Sequence, residues 1–247
     1  MTADPDVPLA GEALLRPVRP GNAFEDTVGR LLQTIRLGVL QPGESLPPER
    51  ELAARLGVSR DTVREALRSL GEAGYVVSRR GRYGGTFVAD ELPGAAVPVP
   101  RAADEPPGMD PADLEEVLAL REVLEVGAAR LAAARTLSAP ERDLVWRALE
   151  EVTGADPADY RRLDSRLHLV IAEATGVRSL VTLVADNRMR VNSLLDEIPL
   201  LERNIAHSDE QHRTLVTAIL AGQPDAAAAA AEEHLAGSAA LLRGFLA

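Results

Sequence analysis

The chain has 247 residues, a formal net charge of −11 and 46% hydrophobic residues, so it is long enough for two domains with apolar cores. Cysteine and lysine are absent, and all 27 basic residues are arginine. Without cysteine there is no disulfide framework, no thiolate metal site and no cysteine nucleophile. The sequence shows neither a signal-peptide pattern nor an apolar run of the ~18 residues that span a membrane. We therefore expect a soluble, cytoplasmic protein without a membrane partner.

The N-terminal end divides into an irregular leader and a helix. Residues 1–23 contain four prolines and show no periodicity, which indicates a flexible leader. From Phe24 to Val39 the apolar residues recur at helical spacing, and Asn22 is placed to cap the helix that they predict. We expect this helix to be the first of three in a small domain.

Two short helices around a tight turn are predicted after Leu46. Apolar residues at helical spacing mark the first helix, and Gly57 ends it. Ser59 is placed to cap the second helix, which continues to Gly74. A helix, a short glycine turn and a second helix form the helix-turn-helix pattern, in which the start of the second helix enters the DNA major groove.

The outward side of this second helix carries residue types that contact DNA. Arginine can donate two hydrogen bonds to one guanine, while hydroxyls and helix N-termini hold phosphates. A loop at residues 78–85 joins predicted strands 75–77 and 86–88, and its three arginines and three glycines indicate a wing. The ordinary alternative is a surface helix with a solvated arginine face. The residues that crowd the start of the second helix, together with one on the preceding helix, are Ser59, Arg60, Asp61, Thr62, Arg64 and Arg50.

The string LPPERELAARLGVSRDTVREAL followed by GRYGGTFV resembles, almost position by position, the winged helix of the GntR family of bacterial transcription regulators. The resemblance covers residues 24–90 and implies a winged helix-turn-helix DNA-binding domain. Asp61 is expected to accept a hydrogen bond from a cytosine amino group or to cap the helix. The positions that the resemblance implies as DNA contacts are Arg50, Arg60, Thr62, Arg64, Arg80 and Gly81.

The negative net charge does not exclude DNA as a partner, because the acidic residues are unevenly distributed. Residues 24–90 contain ten arginines and nine acidic residues, whereas residues 91–247 contain 15 arginines and 26 acidic residues. The excess of acid therefore lies in the second half of the chain. Fields from exposed charges are screened over about 8 Å, so a local arginine face can still bind DNA.

The second half of the chain is predicted to be an all-α bundle. Six prolines within residues 91–111 indicate a proline-rich linker at 91–110, and no strand pattern follows it. Gln211 completes a capping box with Ser208, which predicts that the fifth helix starts again at that point. The predicted helices of the domain, 111–247, are 111–136, 138–152, 157–175, 178–197, 199–221 and 224–246.

Three histidines of this half lie on apolar helix faces. His168 is four residues after Asp164 on one such face, and His212 and His234 lie on inward stripes of two other helices. One carboxylate and three imidazoles could therefore converge in the bundle interior. That set suits Zn²⁺ or another borderline divalent cation. The alternative is that each histidine is a separately hydrogen-bonded core residue.

The Asp-x-x-x-His helix, the segment HRTLVTAILAG and the later His234-Leu235 pair are similar to the FCD domain of the FadR-like branch of the GntR family. This resemblance implies an effector-binding and dimerisation domain that holds a divalent metal ion. We expect Zn²⁺, with Ni²⁺ or Mn²⁺ as alternatives. The ligands that it implies are Asp164, His168, His212 and His234.

Arg121 is the main candidate for binding an effector. It replaces an apolar residue in a helical stripe, and a buried guanidinium requires an anionic partner. The alternatives are a local pair with Glu125 or an outward-facing side chain. The FCD resemblance implies that Arg121 binds an effector carboxylate, and Arg188 and Asn192 are weaker candidates on another helix. A metal ion opposite an arginine would hold a small organic acid from both ends.

The sequence thus predicts a homodimeric transcription regulator, most simply a repressor of a metabolic operon, that binds a palindromic operator in double-stranded DNA and responds to a small organic acid. The expected switch alters the separation of the two winged helices. Three alternatives remain open: a direct metal-ion sensor, a regulator in which the metal is purely structural, and a metal-dependent hydrolase. The hydrolase is disfavoured because no glutamate is placed as a general base, and we expect no enzyme activity.

Overall fold

The computed structural model describes residues 14–15, 23–81, 84–93, 111–198, 200 and 202–246. The chain divides into two compact units, Met1–Ala96 and Val97–Ala247. Asn22 and most of the predicted leader (1–23) and linker (91–110) lie outside the described residues. Within the part of the chain that is described, no helix is both long enough and apolar enough to cross a bilayer.

The N-terminal unit has the predicted winged helix-turn-helix fold. Its elements are α1 (Ala23–Arg36), α2 (Glu49–Leu56), α3 (Arg60–Glu72), β1 (Val76–Arg79) and β2 (Gly85–Val88). The first helix was predicted to continue to Val39 but ends three residues earlier. Gly38 adopts a left-handed conformation with φ of 67° there, and the Val39 amide donates to the Thr34 carbonyl at 3.0 Å.

The core of this unit lies between the three helices and the base of the hairpin. The two strands pair antiparallel with Val76 opposite Val88, which places both of these buried valines at the base. Ser45 forms an isolated bridge with Phe87 that the sequence did not indicate. Leu15 is also buried in this core, although the leader around it shows no apolar periodicity.

The C-terminal unit is the predicted all-α bundle. Its helices are α4 (Pro111–Ala134), α5 (Ala139–Thr153), α6 (Pro157–Ala174), α7 (Arg178–Leu195), α8 (Glu202–Leu220) and α9 (Pro224–Leu246). Ser138 and Glu141 form a reciprocal capping box at the start of α5. The long helix α4 packs against α6, α7, α8 and α9, so its inner face is the centre of the bundle.

The predicted interruption of α8 at Ser208 is wrong, and so is its predicted start at residue 199. Leu200 lies outside the helix, which then runs unbroken from Glu202 to Leu220. Gln211, the expected partner in a capping box, is instead buried, and its Oε1 lies 3.4 Å from Nδ1 of His234. Burial against the neighbouring helix therefore outweighs the local capping pattern.

Candidate functional site

The start of α3 presents backbone N–H groups and polar side chains to solvent. Ser59 caps the helix by accepting a hydrogen bond from the Thr62 amide at 3.0 Å, and the two hydroxyls lie 2.9 Å apart. Arg60 and Asp61 follow in the first turn and are exposed. A helix N-terminus of this kind attracts anions.

Arg64 is held at the same surface by two carboxylates. Its guanidinium lies 3.1 Å from Asp61 and 3.2 Å from Glu49. Arg50 is exposed on α2. Arg64 would therefore have to exchange one or both of its carboxylate partners in order to contact a phosphate or a base.

The described ends of the wing loop approach each other closely, and this approach depends on glycine. Gly81 has φ of 115°, and a Cβ on Gly84 would lie 2.5 Å from the Arg79 carbonyl oxygen. Arg79 lies over the Phe87 ring at 4.5 Å and also pairs with Asp90. Arg80 and Gly81, the predicted DNA contacts, are exposed at the turn.

The C-terminal unit brings the four predicted metal-binding residues together. Asp164 and His168 come from α6, His212 from α8 and His234 from α9, and all four are buried. One ligand atom from each lies within 4.8 Å of the others. The three imidazole rings are 4.4–5.6 Å apart, centroid to centroid. We call these four residues the histidine cluster.

The histidine cluster fits a divalent cation. His168 Nε2 and His212 Nδ1 are buried and have no hydrogen-bond partner among the described residues. Buried nitrogens are normally hydrogen-bonded, so separately satisfied core histidines do not account for these two atoms. Three imidazoles and one carboxylate are a ligand set that Zn²⁺, Ni²⁺ and related ions accept.

Glu125 on α4 is part of this site, although the sequence pattern indicated it only as a local partner for Arg121. Its Oε2 lies 2.7 Å from Nδ1 of His168. A carboxylate at Nδ1 fixes the tautomer of the ring and leaves Nε2 available towards the cluster. Gln211, also missed, lies on the equivalent nitrogen of His234.

Two buried arginines border the histidine cluster. Arg121 pairs with Glu125 at 3.3 Å and donates to Ser238 Oγ at 2.7 Å, so the local pair weighed as an alternative does form, but in the interior. Arg188 is completely buried and pairs with Asp164. Its Nε is buried and has no hydrogen-bond partner among the residues described.

Among the described residues, Asn192 is linked to the surroundings of this cluster through Ser165. Its Nδ2 donates to Ser165 Oγ at 2.8 Å, and the same oxygen accepts from Arg188 at 3.2 Å. Ser165 is fully buried on α6, next to Asp164 in the chain. The sequence did not indicate Ser165, because a serine alone carries no signal for such a role.

Burial and neighbouring charge set the protonation states. Burial raises the pKa of Asp164, but the Arg188 charge and the hydrogen bonds with His168 and His212 together outweigh burial and leave the pKa well below the usual value. Burial lowers the pKa of His212 and His234, which favours the neutral imidazole that binds metals. For His168 burial acts the same way, but the carboxylates of Glu125 and Asp164 together outweigh it and raise the pKa.

Comparison with known proteins agrees with this architecture. Residues 24–88 match the family model "Bacterial regulatory proteins, gntR family", and residues 116–237 match the model of the FCD domain. The solved structure of Escherichia coli McbR/YncC has a TM-score of 0.55 with 18% identity, over 90% of this chain and 98% of that one. This likeness supports the fold. Together, the fold and the two matched models define a DNA-binding transcription regulator with a helical FCD unit.

Three similar proteins show the family to which this chain belongs. The putative L-lactate dehydrogenase operon regulatory protein of Escherichia coli is 30% identical, over 88% of this chain and 85% of the relative. LutR of Bacillus subtilis is 31% identical over 85% and 97%. The uxu operon transcriptional regulator of Escherichia coli is 33% identical over 78% and 76%. The chain therefore belongs to the GntR family of bacterial transcription regulators, and it is a regulator rather than an enzyme.

Proposed function

We propose that this regulator controls a metabolic operon by sensing a small organic acid in a metal-containing pocket at the histidine cluster. The observation that carries the proposal is a set of unpaired polar atoms in one buried place: imidazole nitrogens of His168 and His212 and the Nε of Arg188. A cation would satisfy the nitrogens, and a carboxylate would satisfy the guanidinium. The names of the relatives, which refer to the L-lactate dehydrogenase and uxu operons, support a metabolic acid as the signal.

Asp164, His168, His212 and His234 would hold the metal ion. When bound, the ion supplies positive charge and a coordination position for an acid oxygen. Zn²⁺ is the first choice for this ligand set, and Ni²⁺ or Mn²⁺ would provide additional coordination positions. Glu125 and Gln211 orient two of the rings from outside, which is the usual task of residues that hydrogen-bond to metal ligands.

The charges of the pocket favour an anion. In and around the histidine cluster, the carboxylates of Asp164 and Glu125 balance the guanidinium groups of Arg121 and Arg188. A divalent cation would leave this buried group of residues with excess positive charge, which is costly in an apolar interior unless an anion accompanies it. A small carboxylate can bind the metal at one end and Arg188 or Arg121 at the other.

The N-terminal unit would bind DNA as part of a homodimer. Each copy would place the start of α3 in one half of a palindromic operator, because two-fold protein symmetry requires it. We place this regulator in the cytoplasm as a repressor. The acid would act by binding one of two conformational states more tightly, which changes the affinity for DNA. The DNA contacts proposed are Arg50, Ser59, Arg60, Asp61, Thr62, Arg64, Arg80 and Gly81.

The proposal is tested by gel shift on a DNA fragment from the region upstream of the protein's own gene. Protein would be loaded with Zn²⁺ and titrated against the fragment with and without a panel of small hydroxy and dicarboxylic acids, beginning with L-lactate. We expect at least one acid to shift the midpoint of DNA binding. The matched control is lactamide, which keeps the shape of lactate but lacks the charge and should have no effect.

A direct metal sensor is the second candidate, because four protein ligands can complete a tetrahedral Zn²⁺ shell without an organic ligand. The two proposals differ in one result. If chelation abolishes DNA binding, metal alone restores it and no acid has an effect, the regulator senses metal. If neither metal nor any acid changes DNA binding, both proposals are wrong.

A further inference from the structure

Near the histidine cluster, three buried oxygen atoms have no hydrogen-bond partner among the described residues. They are the Tyr160 hydroxyl on α6, Asn192 Oδ1 on α7 and Asp209 Oδ1 on α8. The Ser208 side chain lies close to the Tyr160 hydroxyl, but the two do not reach hydrogen-bond geometry. Buried polar atoms are normally hydrogen-bonded, so these oxygens indicate a place for a bound molecule. We call Tyr160, Asn192 and Asp209 the oxygen group.

Helical spacing places each member of the oxygen group beside a residue of the proposed pocket. Each lies three or four positions from such a residue, and this spacing puts both side chains on the same helix face. These pairs are Tyr160–Asp164, Asn192–Arg188 and Asp209–His212. Asn192 is also joined to Arg188 through Ser165 Oγ, which accepts a hydrogen bond from both. The oxygen group therefore borders the histidine cluster on three helices.

The charges of this region act on one another. Burial raises the pKa of Tyr160, and the charges of Asp164 and Asp209 raise it further. Burial also raises the pKa of Asp209, and the Asp164 charge acts in the same direction. Tyr160 and Asp209 are therefore near each other and near the carboxylate that the metal ion would bind.

On the α4 side of the pocket, in contrast, hydrogen bonds are already formed within the protein. Arg121 donates to Glu125 and to Ser238, and Glu125 lies 2.7 Å from Nδ1 of His168. The Nε of Arg188 is unpaired among the described residues and is open to a ligand carboxylate. The oxygen group is then left for the remainder of the ligand.

The oxygen group requires hydrogen-bond donors from its ligand. The amide oxygen of Asn192 and the carboxylate oxygen of Asp209 only accept hydrogen bonds, while the Tyr160 hydroxyl can donate as well as accept. A ligand hydroxyl supplies a donor of this kind. A second ligand carboxylate supplies none, and it would lie beside the Asp209 charge, which is unfavourable.

Asp209 also changes the charge count of the pocket. It is only half-buried, so we take its carboxylate as charged at neutral pH. Three carboxylates, of Asp164, Glu125 and Asp209, then face the guanidinium groups of Arg121 and Arg188. With a divalent ion, one positive charge remains, and a single ligand carboxylate balances it. A dicarboxylate would leave a negative charge, and an amino acid zwitterion would leave a positive one.

From these observations we infer that the oxygen group selects a monocarboxylate whose chain carries further hydroxyl groups, and that Asp209 excludes dicarboxylates. The inference rests on the proposed function, in which the metal ion and an arginine hold the ligand carboxylate, and it narrows the class of acid that is sensed. An acid without a hydroxyl beyond C2, such as lactate, leaves the oxygen group unsatisfied. It should therefore bind more weakly than an acid with a longer hydroxylated chain.

Isothermal titration calorimetry of the full-length, Zn²⁺-loaded protein with two matched pairs of acids tests the inference. The pairs are glycerate with tartronate, and threonate with tartrate. In each pair the last carbon is a hydroxymethyl group in the first acid and a carboxylate in the second. The hydroxymethyl member of at least one pair should bind at least about tenfold more tightly. The bound Zn²⁺ is measured after each titration, so that chelation is not counted as binding.

Two variants separate the charge of the oxygen group from its hydrogen bonds. Asp209→Asn keeps an acceptor oxygen but removes the charge, so the preference should fall at least about fivefold through tighter binding of the dicarboxylate. Glu210→Gln is the control, because it removes an exposed charge from the next position of the same helix and should leave the preference unchanged. Tyr160→Phe should weaken binding of the preferred hydroxy acid about five- to tenfold without changing Zn²⁺ binding.

The outcomes distinguish this inference from the proposed function. Equal or reversed affinities within both pairs, or an Asp209→Asn variant with the wild-type preference, would overturn the inference and leave the proposed function intact. That result is expected if water alone satisfies the oxygen group. If Asp209→Asn does not fold, as judged by circular dichroism, unchanged hydroxy acid binding by Tyr160→Phe would overturn the inference instead. If the Zn²⁺-loaded protein binds none of these acids and no L-lactate, the proposed function is wrong, and the inference falls with it.

Discussion

All 27 lysine-or-arginine residues of this chain are arginine, and the candidate sites of the two units use arginine in opposite ways. On α3 of the N-terminal unit, Arg60 and Arg64 are exposed, and Arg64 has two carboxylate partners that water also reaches. In the C-terminal unit, Arg121 and Arg188 are buried among acids and imidazoles. An exposed ion pair contributes little to stability, and its members exchange partners easily. A buried charge, in contrast, destabilises the fold when one of its partners is removed.

The largest effect is expected from removing a buried arginine. Arg188→Met leaves Asp164 buried beside no guanidinium, and in chelator-treated protein it should lower the free energy of unfolding by about 3–5 kcal/mol. Arg190→Met, two residues away on the same helix, removes only an exposed pair with Glu116 and should cost about 0–1 kcal/mol. Urea unfolding followed by circular dichroism measures both. Equal losses would show that the buried pairs are no more important than the surface pairs.

Glu125 should contribute to the affinity for the metal ion and not to the formation of the fold. Glu125→Gln keeps the shape of the side chain but removes the charge at Nδ1 of His168, and it should weaken Zn²⁺ binding about 10–100-fold. Glu122→Gln changes an exposed residue of the same helix and should leave affinity unchanged. Competition with a chromophoric chelator gives both dissociation constants. An unaltered constant for Glu125→Gln would mean that Glu125 does not orient the ring.

These two experiments concern residues whose importance could be only partly predicted from the sequence. Periodicity correctly identified the buried faces of α6, α8 and α9, and it therefore brought Asp164 and the three histidines to one interior. It could not give the rotation of one helix against another. That rotation decides that Glu125 contacts His168, and that Ser165 links Arg188 to Asn192.

Local sequence signals correctly predicted helix ends where neighbouring residues in the chain determine them. Gly57, in a left-handed conformation, ends α2, and Ser59 caps α3 as predicted. The same kind of signal failed at Ser208, because Gln211 is buried beside His234 instead of capping a helix. Arg121 could not be settled at all from the sequence, since an arginine four residues before a glutamate has the same pattern whether the pair is exposed or buried.

In the N-terminal unit, Arg60 alone should contribute a moderate part of the free energy of operator binding. If Arg60 reads a guanine, Arg60→Ala should cost about 1–3 kcal/mol on the operator and much less on random DNA. Arg147→Ala, an exposed arginine of α5, serves as the control and should change neither. Gel shifts on operator and scrambled fragments at fixed salt measure the difference. A uniform loss on both fragments would show that Arg60 contacts only phosphate.

The smallest effect tests whether the exposed arginines are restrained by their acid partners. Glu49→Gln removes one of the two carboxylates on Arg64, and because an exposed pair is worth about 0.2–1 kcal/mol, DNA should bind more tightly by less than about fivefold. Glu51→Gln is the control, since Glu51 pairs with Arg55 on the same helix; it reports the effect of losing any acid near DNA. In an Arg64→Ala background the gain from Glu49→Gln should fall to that of the control. If the gain persists in that background, it comes from the overall negative charge of the unit. Glu49 then does not restrain Arg64 from contacting DNA.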